Sequence, residues 1–285
     1  MSVRGILRRL VRLYTIWFPL DKGKGRFVNL LWKYLFISEE NLVERVGSGY
    51  VMELDLSDYV QRCIYFFGYY EAPIARWLKK RLSPGMVFCD IGAHVGQYTL
   101  LAARAVGVNG RVYAFEPEPR NYARLQTNVL LNQFTNVRLF PWAVGDIYGK
   151  RLLYIRLDKD DNWGVHSLHP DESWKSVKPI EVLMVTLDDV LHSEKHVDVI
   201  KIDVEGAELS VLKGAQKTLE RHEPIILIEA DERNTQRFGY STVELKQHIV
   251  SLGYSLYKLH RGSLKPVKIT DVEPHAMLIA FKHRR

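Results

Sequence analysis

The feature that most constrains the fold is an alternation of short apolar runs with helical segments, which begins near residue 84. Four apolar runs of strand length, MVFCD, RVYAFE, VDVIKID and PIILIEA, are each followed by a segment of helical character. Such alternation predicts a parallel sheet with helices on both faces, and right-handed crossovers make that sheet doubly wound. The expected fold class is therefore α/β, a Rossmann-like, mostly parallel sheet with an antiparallel C-terminal strand.

Two parts of the chain depart from this rhythm. Residues 137–144, VRLFPWAV, are expected to form a third, less regular strand. Residues 147–186 contain two alternating segments around a polar loop, which predicts an inserted hairpin. We expect a basic, amphipathic and helical N-terminal extension over residues 1–65, and the α/β domain over residues 66–285.

The net positive charge of the chain arises at its N-terminal end. Residues 1–35 contain eight basic residues and one acidic residue, which accounts for the whole net charge of +7. Arginines interrupt the first apolar run, so it does not read as a secretory signal, and no run reaches the ~20 apolar residues of a membrane span. The two cysteines, Cys63 and Cys89, form neither a disulfide framework nor a zinc spacing. We therefore expect a cytoplasmic location, with Cys89 as a buried core thiol.

A helix over residues 3–17 would be amphipathic. Its apolar face holds Val3, Ile6, Leu7, Leu10, Leu13, Tyr14 and Trp17, and its basic face holds Arg4, Arg8, Arg9 and Arg12. Two interpretations are open. In one, residues 1–20 lie as an interfacial helix on the acidic inner face of a membrane. In the other, the helix packs its apolar face on the domain or on a twin subunit of a homodimer.

Acidic residues end four of the expected strands. These residues are Asp90, Glu116, Asp203 and Glu229. In doubly wound sheets, ligands bind beyond the carboxyl ends of the strands, near the point where strand order reverses. Buried carboxylates there would be costly unless they bind something, so this edge of the sheet is the expected site.

The first turn of the domain has the spacing D-x-G-x-x-x-G, formed by Asp90, Gly92 and Gly96. The dinucleotide fingerprint G-x-G-x-x-G fails at His94 and Gln97, and no P-loop Gly-Lys-Ser/Thr follows. A helix N-terminus attracts a carboxylate, whereas an aspartate beside it suits an amine, so the turn favours an amino-acid ligand.

The next two strand ends extend the same ligand. Glu116 is placed to accept from two ribose hydroxyls, and Asp146 could accept from an adenine amine. An amino acid joined to ribose and adenine describes S-adenosylmethionine, which is the expected cofactor.

The sequence resembles the FkbM-type S-adenosylmethionine-dependent methyltransferases. The resemblance runs from about residue 68 to residue 232. It is carried by DIGAHVGQYTL, VYAFEPEPRNYARLQTNV, the Asn-Val and Ala-Val-Gly-Asp segments that follow, NWGVHSL, VTLDDVL and DVIKIDVEGAELSVLKGA. It implies a class I methyltransferase fold and methyl transfer to a hydroxyl, often of a sugar or a natural product. His94 stands where the family often has asparagine.

The candidate donor-binding residues are Glu71, Asp90, Gly92, Ala93, His94, Gly96, Tyr98, Thr99, Glu116, Pro117, Val144, Asp146 and Asp203. The candidate catalytic residues are Lys201, Asp203, Glu205 and His166. Lys201, Asp203 and Glu205 share parity along the chain, so we expect them on one face.

The expected chemistry is transfer to oxygen. Amine methyltransferases typically carry an N/D-P-P-Y turn after the fourth strand, where this chain reads Asp203-Val204-Glu205-Gly206. A carboxylate can accept the proton of an attacking alcohol, so Asp203 is the expected base. Asp203, Glu205, Glu229 and Asp231 could also supply oxygen ligands to a divalent metal, but their spacing is not diagnostic and no required metal is expected.

The polar loop holds Asn162, Trp163, His166 and His169. It is interpreted either as an acceptor-site lid, with Trp163 stacking on a sugar, or as an exposed loop. Two other functions compete with a glycan O-methyltransferase. A nucleic-acid methyltransferase would use the basic end, but the domain itself is neutral and lacks a visible RNA-binding module, so nucleic acid is not the expected partner. A membrane-attached donor-binding protein would lack turnover.

Overall fold

The computed structural model describes residues 3–17, 28, 42–157 and 164–283. The helices in these ranges are α1 (Val3–Trp17), α2 (Tyr59–Phe67), α3 (Ala72–Lys79), α4 (Gln97–Val106), α5 (Pro119–Leu131), α6 (Leu187–Leu191), α7 (Glu208–Lys213), α8 (Gln216–His222), α9 (Glu232–Arg237) and α10 (Thr242–Ser251). The strands are β1 (Leu42–Val46), β2 (Tyr50–Leu54), β3 (Val87–Ile91), β4 (Arg111–Phe115), β5 (Val137–Phe140), β6 (Trp142–Val144), β7 (Gly149–Arg156), β8 (His166–Ser167), β9 (Val177–Val185), β10 (Val199–Ile202), β11 (Ile225–Ala230), β12 (Ser255–His260), β13 (Ser263–Pro266) and β14 (Ala276–Phe281).

The central sheet has the strand order β13-β12-β14-β11-β10-β3-β4-β5 in the described residues. Strands β11, β10, β3, β4 and β5 pair in parallel, and β14 inserts antiparallel between β11 and β12. The chain runs outward from β3 through β4 to β5, then returns to β10 and runs the other way. The order therefore reverses between β3 and β10, where a doubly wound sheet binds its ligand. The predicted fold class is confirmed.

Apolar side chains cover both faces of this sheet. Phe88 and Val112 pack on one side with the α4 residues Leu100 and Leu101. Val87 and Cys89 pack on the other side, among residues of the α7 and α10 layer. A strand buried on both faces reads as a continuous apolar run, which is why these strands are visible in the sequence. Cys89 is fully buried and unbonded, as predicted.

Residues 137–144 form two strands rather than the single strand predicted. β5 pairs with β4 in the central sheet, whereas β6 pairs with β9 in a second sheet of order β6-β9-β7-β8. Pro141 lies between them. Proline has no N–H to donate to a ladder, so the chain leaves the central sheet at this residue. β7 and β9 pair antiparallel along their whole length and form a hairpin within residues 147–186.

The N-terminal part is tied to the domain through helix α5. The β2 backbone N–H groups of Val51 and Glu53 donate to the side-chain oxygens of Asn132 and Asn128, each at 2.7 Å. These bonds satisfy the edge of the β1–β2 hairpin, which an unpaired strand would otherwise leave open. The hairpin in turn supports α2.

Helix α1 does not pack its apolar face on the domain, which was one of the two expectations for it. Val11 and Thr15 are buried and Arg12 is partly buried, whereas Leu10 and Leu13 are more than half exposed. The apolar face therefore does not lie on the domain. The side chains of Val3, Arg4 and Trp17 lie outside the described part of the chain.

Two arginines of the basic face, Arg8 and Arg12, lie toward the domain while Arg9 is exposed, and Arg12 finds strong partners there. Its guanidinium donates to the Glu44 carboxylate at 2.6 Å and to the Tyr65 carbonyl at 3.0 Å, and also to the Arg45 carbonyl. It lies 4.6 Å from the centre of the Tyr65 ring. Planar guanidinium groups combine such bonds with stacking, so an arginine can form a packed interface. No helix in the described ranges is long and apolar enough to cross a membrane.

Candidate functional site

One cavity opens at the carboxyl ends of β3, β4, β10 and β11, next to the reversal of strand order. The elements that form its wall are α2, the start of α4, the strand ends, β6, β7 and β8. The described residues that line it are Val60, Ile64, Tyr70, Glu71, Ile91, Gly92, Ala93, His94, Gln97, Tyr98, Phe115, Glu116, Pro117, Asn121, Trp142, Ala143, Val144, Leu153, Gly164, His166, Ser167, Leu168, Lys201, Asp203, Val204, Glu205, Ala207, Glu229 and His275. The topology thus brings most of the candidate residues to one place.

The glycine turn after β3 is shaped by the neighbouring strand. Gly92 has φ +80°, and a Cβ there would lie 1.8 Å from the backbone oxygen of Asp203. No side chain fits this approach, so the turns after β3 and β10 can meet at the cavity floor only if residue 92 is glycine. The N–H groups of Gly92 and Ala93 both donate to the Phe115 carbonyl, at 3.0 and 2.9 Å, which joins the turn to β4.

Glu116 is held by the backbone. Its two carboxylate oxygens accept the N–H groups of His94 at 2.7 Å and of Glu118 at 2.9 Å. Burial raises the pKa of Glu116 to about 7 despite these bonds. His94 adopts the left-handed conformation, φ +51°, that aims its N–H at Glu116. Asparagine and histidine tolerate that conformation better than most residues, so the departure from the family's asparagine preserves the turn.

The ring of His94 also reaches the cavity. Its Nε2 atom is buried and has no hydrogen-bond partner among the described residues. Burial lowers the pKa of His94, so the ring is neutral and can exchange one hydrogen bond with a ligand.

Asp90 lies behind the cavity rather than on its wall. It is fully buried; one oxygen accepts from the Thr99 hydroxyl at 2.6 Å, and the other lies 3.8 Å from the Lys201 ammonium. Burial raises the pKa of Asp90, although Lys201 and Thr99 oppose this shift. Asp90, oriented by Thr99, therefore lies against Lys201 on the side away from the cavity. Neither Asp90 nor Thr99 lines the cavity, where the sequence analysis expects both.

Lys201 and Asp203 form the charged pair at the cavity floor. The Lys201 ammonium lies 3.0 Å from the Asp203 carboxylate, which is partly exposed to the cavity. Burial by itself would lower the pKa of Lys201, but the carboxylates of Asp203 and Asp90 outweigh it and raise the pKa above its ordinary value. Lys201 thus lies as a buried cation between Asp90 and Asp203.

Two further carboxylates face the same floor from the β10 and β11 side. Glu205 accepts a hydrogen bond from Asn234 at 2.9 Å, and burial near Asp203 raises its pKa. Glu229 is buried, with an exposed fraction of 8%. Its Oε2 atom has no hydrogen-bond partner among the described residues. Burial and then Asp203 raise the pKa of Glu229 well above the usual value. His275 lies 3.5 Å from the other Glu229 oxygen.

The α2–α3 segment closes the cavity over the floor. The side chain of Gln97 accepts the Tyr70 N–H at 2.5 Å and donates to the Tyr70 carbonyl at 3.0 Å. The next residue, Glu71, accepts from the Tyr98 hydroxyl at 3.2 Å and has φ +50°. Burial, and then Asp203, raise the pKa of Glu71. Gln97 thus fastens this segment to the start of α4.

The inserted sheet contributes the remaining wall. His166, in β8, lines the cavity, and the neighbouring Ser167 hydroxyl donates to the Glu205 carbonyl at 3.0 Å. His169 is exposed and packs its ring edge on Phe238, 4.5 Å between centres. Asn162 and Trp163 lie outside the described residues, so the lid interpretation for them stays a prediction.

Two other predicted donor contacts lie away from the cavity wall as the structure describes it. Gly96 adopts φ +96° and packs against Leu125, which a Cβ would approach to 2.6 Å. Asp146 is exposed and accepts from the Ser210 hydroxyl at 2.7 Å. Asp146 follows β6 but bonds to Ser210 of α7, and it is not among the residues of the cavity wall. Val144 and Pro117, in contrast, are on the wall.

Several wall residues are missed by the sequence analysis. Gln97 serves there only to exclude the dinucleotide pattern, and Tyr70, Asn121, Trp142 and His275 are not proposed at all. Glu229 is noted as a strand-end acid and as a metal ligand, but not as a catalytic candidate. The strand-end position is the one signal that could have identified Glu229 as a catalytic candidate. His275 lies in a loop that carries no motif.

No group of three or more His, Cys, Asp or Glu side chains in the described ranges has the arrangement of a metal site. At the floor, Asp203 contacts Lys201, Glu205 accepts a hydrogen bond from Asn234, and Glu229 lies 3.5 Å from His275.

A family model described as the methyltransferase FkbM domain matches residues 90–256, more than half of the chain. The chain belongs to the FkbM methyltransferase family. The match runs from β3 to β12 and so contains every strand that carries an acid to the cavity. This methyltransferase domain is the part of the chain that holds the cavity floor, while α2 and the segment after it close the cavity from outside the matched region.

Individual proteins show the same likeness. The chain is 27% identical over 141 residues to "Methyltransferase 1" of Beauveria bassiana (strain ARSEF 2860), a match that covers 44% of this chain and 56% of that protein. It is similar to a crystal structure of methyltransferase FkbM from Methylobacillus flagellatus KT, with 17% identity, 98% of this chain and 59% of that chain covered, and a TM-score of 0.48. A SAM-dependent O-methyltransferase from Thermotoga maritima gives 16% identity, 86% and 79% coverage, and a TM-score of 0.43. The chain spans little more than half the length of the first two proteins.

Proposed function

We propose that this methyltransferase transfers the methyl group of S-adenosylmethionine to a hydroxyl group of a sugar or glycoconjugate. The observation that carries the proposal is the division of carboxylates around one cavity. Glu116 lies at the β4 edge, while Asp203, Glu205 and Glu229 lie at the β10 and β11 edge. The donor carries a diol and positive charge, and the acceptor must lose a proton, so both partners suit an acidic cavity.

The β3–β4 side fits the donor. Each Glu116 oxygen accepts one backbone N–H and keeps a further acceptor site, so the pair can receive two ribose hydroxyls. Gly92 and Ala93 lie before α4, whose first amide groups favour a carboxylate. The acidic residues that face them favour the ammonium and sulfonium charges.

The adenine end has a different environment from the one that the sequence suggests. Trp142, Ala143 and Val144 line the cavity with largely apolar surface, while Asp146 points to Ser210. Planar bases bind well against apolar and aromatic side chains. We therefore assign the adenine to this β6 wall by packing rather than by a contact with Asp146.

At the floor, Asp203 is the proposed base. The donor supplies an electrophilic methyl group on sulfur. As the acceptor oxygen forms its bond to that carbon and the carbon–sulfur bond breaks, Asp203 accepts the hydroxyl proton, and S-adenosylhomocysteine is released. Lys201 keeps Asp203 in place through a contact of 3.0 Å. The unpartnered oxygen of Glu229 can exchange a hydrogen bond with a neighbouring hydroxyl of a sugar, and His166 lines the same cavity.

The experiment is a transfer assay with S-adenosylmethionine labelled in the methyl group. The purified chain is incubated with panels of glycans, glycolipids and RNA, and the product is treated with mild alkali. The proposal predicts alkali-stable label on a glycan, as expected of a methyl ether. Label on RNA, on an amine or on an alkali-labile ester would contradict it.

A further inference from the structure

The outer face of helix α1 is apolar and exposed. We define it as the side chains Ile6, Leu7, Leu10, Leu13 and Ile16, whose exposed fractions lie between 42% and 56%. These residues recur every three or four positions, so they form one continuous stripe. Contiguous exposed apolar patches of this kind mark interaction surfaces in soluble proteins.

The helix is fixed in this orientation by its other side. Arg12 bonds to Glu44 and to the carbonyls of Tyr65 and Arg45, while Val11 and Thr15 are buried against the domain. Turning the outer face inward would break these charge-assisted bonds and expose Val11. The stripe is therefore presented outward by the fold itself.

Charge decides between the candidate occupants of the stripe. The sequence of residues 1–35 has a net charge of +7, and Arg9 is exposed on α1 beside the stripe, whereas Arg8 and Arg12 face the domain. Pairing with a second copy would bring two such segments together and create repulsion. An acidic lipid surface attracts the same charge and accepts the apolar stripe at its headgroup boundary.

We propose that the outer face of α1 docks on an acidic membrane surface while Arg12, on the inner side of the helix, stays bonded to the domain. The proposal does not depend on the identity of the methyl acceptor. It has a geometric consequence, because α1 packs on α2, and Val60 and Ile64 of α2 line the cavity. Docking would hold the cavity wall about one helix diameter, roughly 10 Å, from the lipid.

The test is flotation of the full chain with vesicles of phosphatidylcholine, alone or mixed with phosphatidylglycerol. We expect flotation with the acidic vesicles only, and a marked loss at high salt because surface charge is screened. The variant Leu10→Glu/Leu13→Glu should lower the bound fraction at least about tenfold. Both side chains are exposed, so thermal unfolding should be unchanged.

The matched control replaces two exposed apolar residues elsewhere. Val108→Glu/Leu130→Glu, with exposed fractions of 85% and 74% in the parent, should float like the parent. Equal binding by both double variants, or no binding of the parent to acidic vesicles, would overturn the proposal. So would a dimer in sedimentation equilibrium that the Leu10/Leu13 variant dissociates, since a second copy would then cover the stripe. Methyl transfer to a soluble acceptor is unaffected in every outcome, which separates this proposal from the proposed function.

Discussion

The two sides of the cavity are built in different ways. On the β3–β4 side, the oxygens of Glu116 are held by backbone N–H groups, and Gly92 lets two turns meet. On the β10–β11 side, Asp203 contacts the Lys201 ammonium, Glu205 accepts a hydrogen bond from Asn234, and a Glu229 oxygen has no partner among the described residues.

This difference separates two tasks. A donor that never changes can be bound by backbone geometry, which tolerates little substitution. Under the proposed function, the methyl acceptor would be met by side chains from several segments on the β10–β11 side. Burial, and then the neighbouring Asp203 carboxylate, raise the pKa of Glu205 to about 8 and the pKa of Glu229 well above its ordinary value.

The sharpest separation of the two sides should come from Asp203→Asn. The amide keeps the shape of the side chain but cannot take the acceptor proton, so kcat should fall by roughly 10²- to 10⁴-fold. Donor affinity in calorimetry should change little, because Glu116 and the glycine turn remain intact. A variant with near-normal turnover would remove Asp203 as the base. A variant that cannot bind donor would show that the two sides are not separate.

Gly92→Ala tests the close approach that joins the two sides. A Cβ at residue 92 would lie 1.8 Å from the Asp203 oxygen, so the free energy of unfolding should fall by about 4 kcal/mol or more. Gly85→Ala is the matched control, since Gly85 also has a positive φ, +89°, but its Cβ would meet nothing described within 4 Å. It should cost only about 1–2 kcal/mol, the strain of a left-handed alanine. Equal losses in denaturant titrations would show that the contact with Asp203 is not the constraint.

Glu229→Gln should make the protein more stable than the parent at high pH. The folded pKa of Glu229 is raised, so its stabilising protonated form is complete below the unfolded pKa of about 4.3 and is lost as pH rises through the folded pKa. Glutamine carries no such charge. The variant should match the parent near about pH 4 and melt higher near about pH 8, by roughly 2–4 °C per kcal/mol gained.

The exposed Glu220 offers a control for this comparison. Glu220→Gln should leave the melting temperature within a degree or so at either pH, because exposed substitutions change stability by only about 0.5 kcal/mol. If Glu229→Gln melts lower than the parent at high pH, Glu229 must be favourably paired, and the acceptor side is not strained by charge.

The smallest expected effect is a pH dependence of donor affinity. The pKa of Glu116 is about 7, so its carboxyl is largely protonated one unit below that value and ionised one unit above it. An ionised carboxylate accepts stronger hydrogen bonds from hydroxyls, so the dissociation constant should fall several-fold as pH rises through neutrality. Glu116→Gln should abolish that part of the dependence. A parent affinity that is flat with pH would contradict the assignment of Glu116 to the diol.

The position of the residues at the β3–β4 edge could be predicted from the sequence because it depends on local patterns. Asp90, Gly92 and Glu116 each follow or end an apolar strand, and parallel strands place such ends at one edge. Their contacts could not be predicted in the same way: Asp90 is buried beside Lys201, and Asp146 bonds to Ser210 of α7. Pro141, which has no N–H, is the one sequence signal for the change of sheet between β5 and β6, and periodicity alone does not show that change.

The remaining features depend on contacts between distant segments. Gln97 meets Tyr70 across 27 positions, and His275 meets Glu229 across 46, with no pattern linking either pair. Likewise, the amphipathic pattern of α1 shows two faces but not which one packs. Glu44 and Tyr65 decide that choice, and they lie in elements that the sequence joins to α1 only through folding.

The central claim is that the cavity binds S-adenosylmethionine with its ribose on Glu116. Isothermal calorimetry of the donor with the parent, Glu116→Ala and Asp146→Ala tests it most directly. Loss of charge-assisted hydrogen bonds of about 1.5–3 kcal/mol predicts that Glu116→Ala weakens binding by more than about tenfold. Asp146→Ala should bind like the parent, because Asp146 is exposed and bonded to Ser210. Unchanged affinity in Glu116→Ala, or a large loss in Asp146→Ala, would contradict the account.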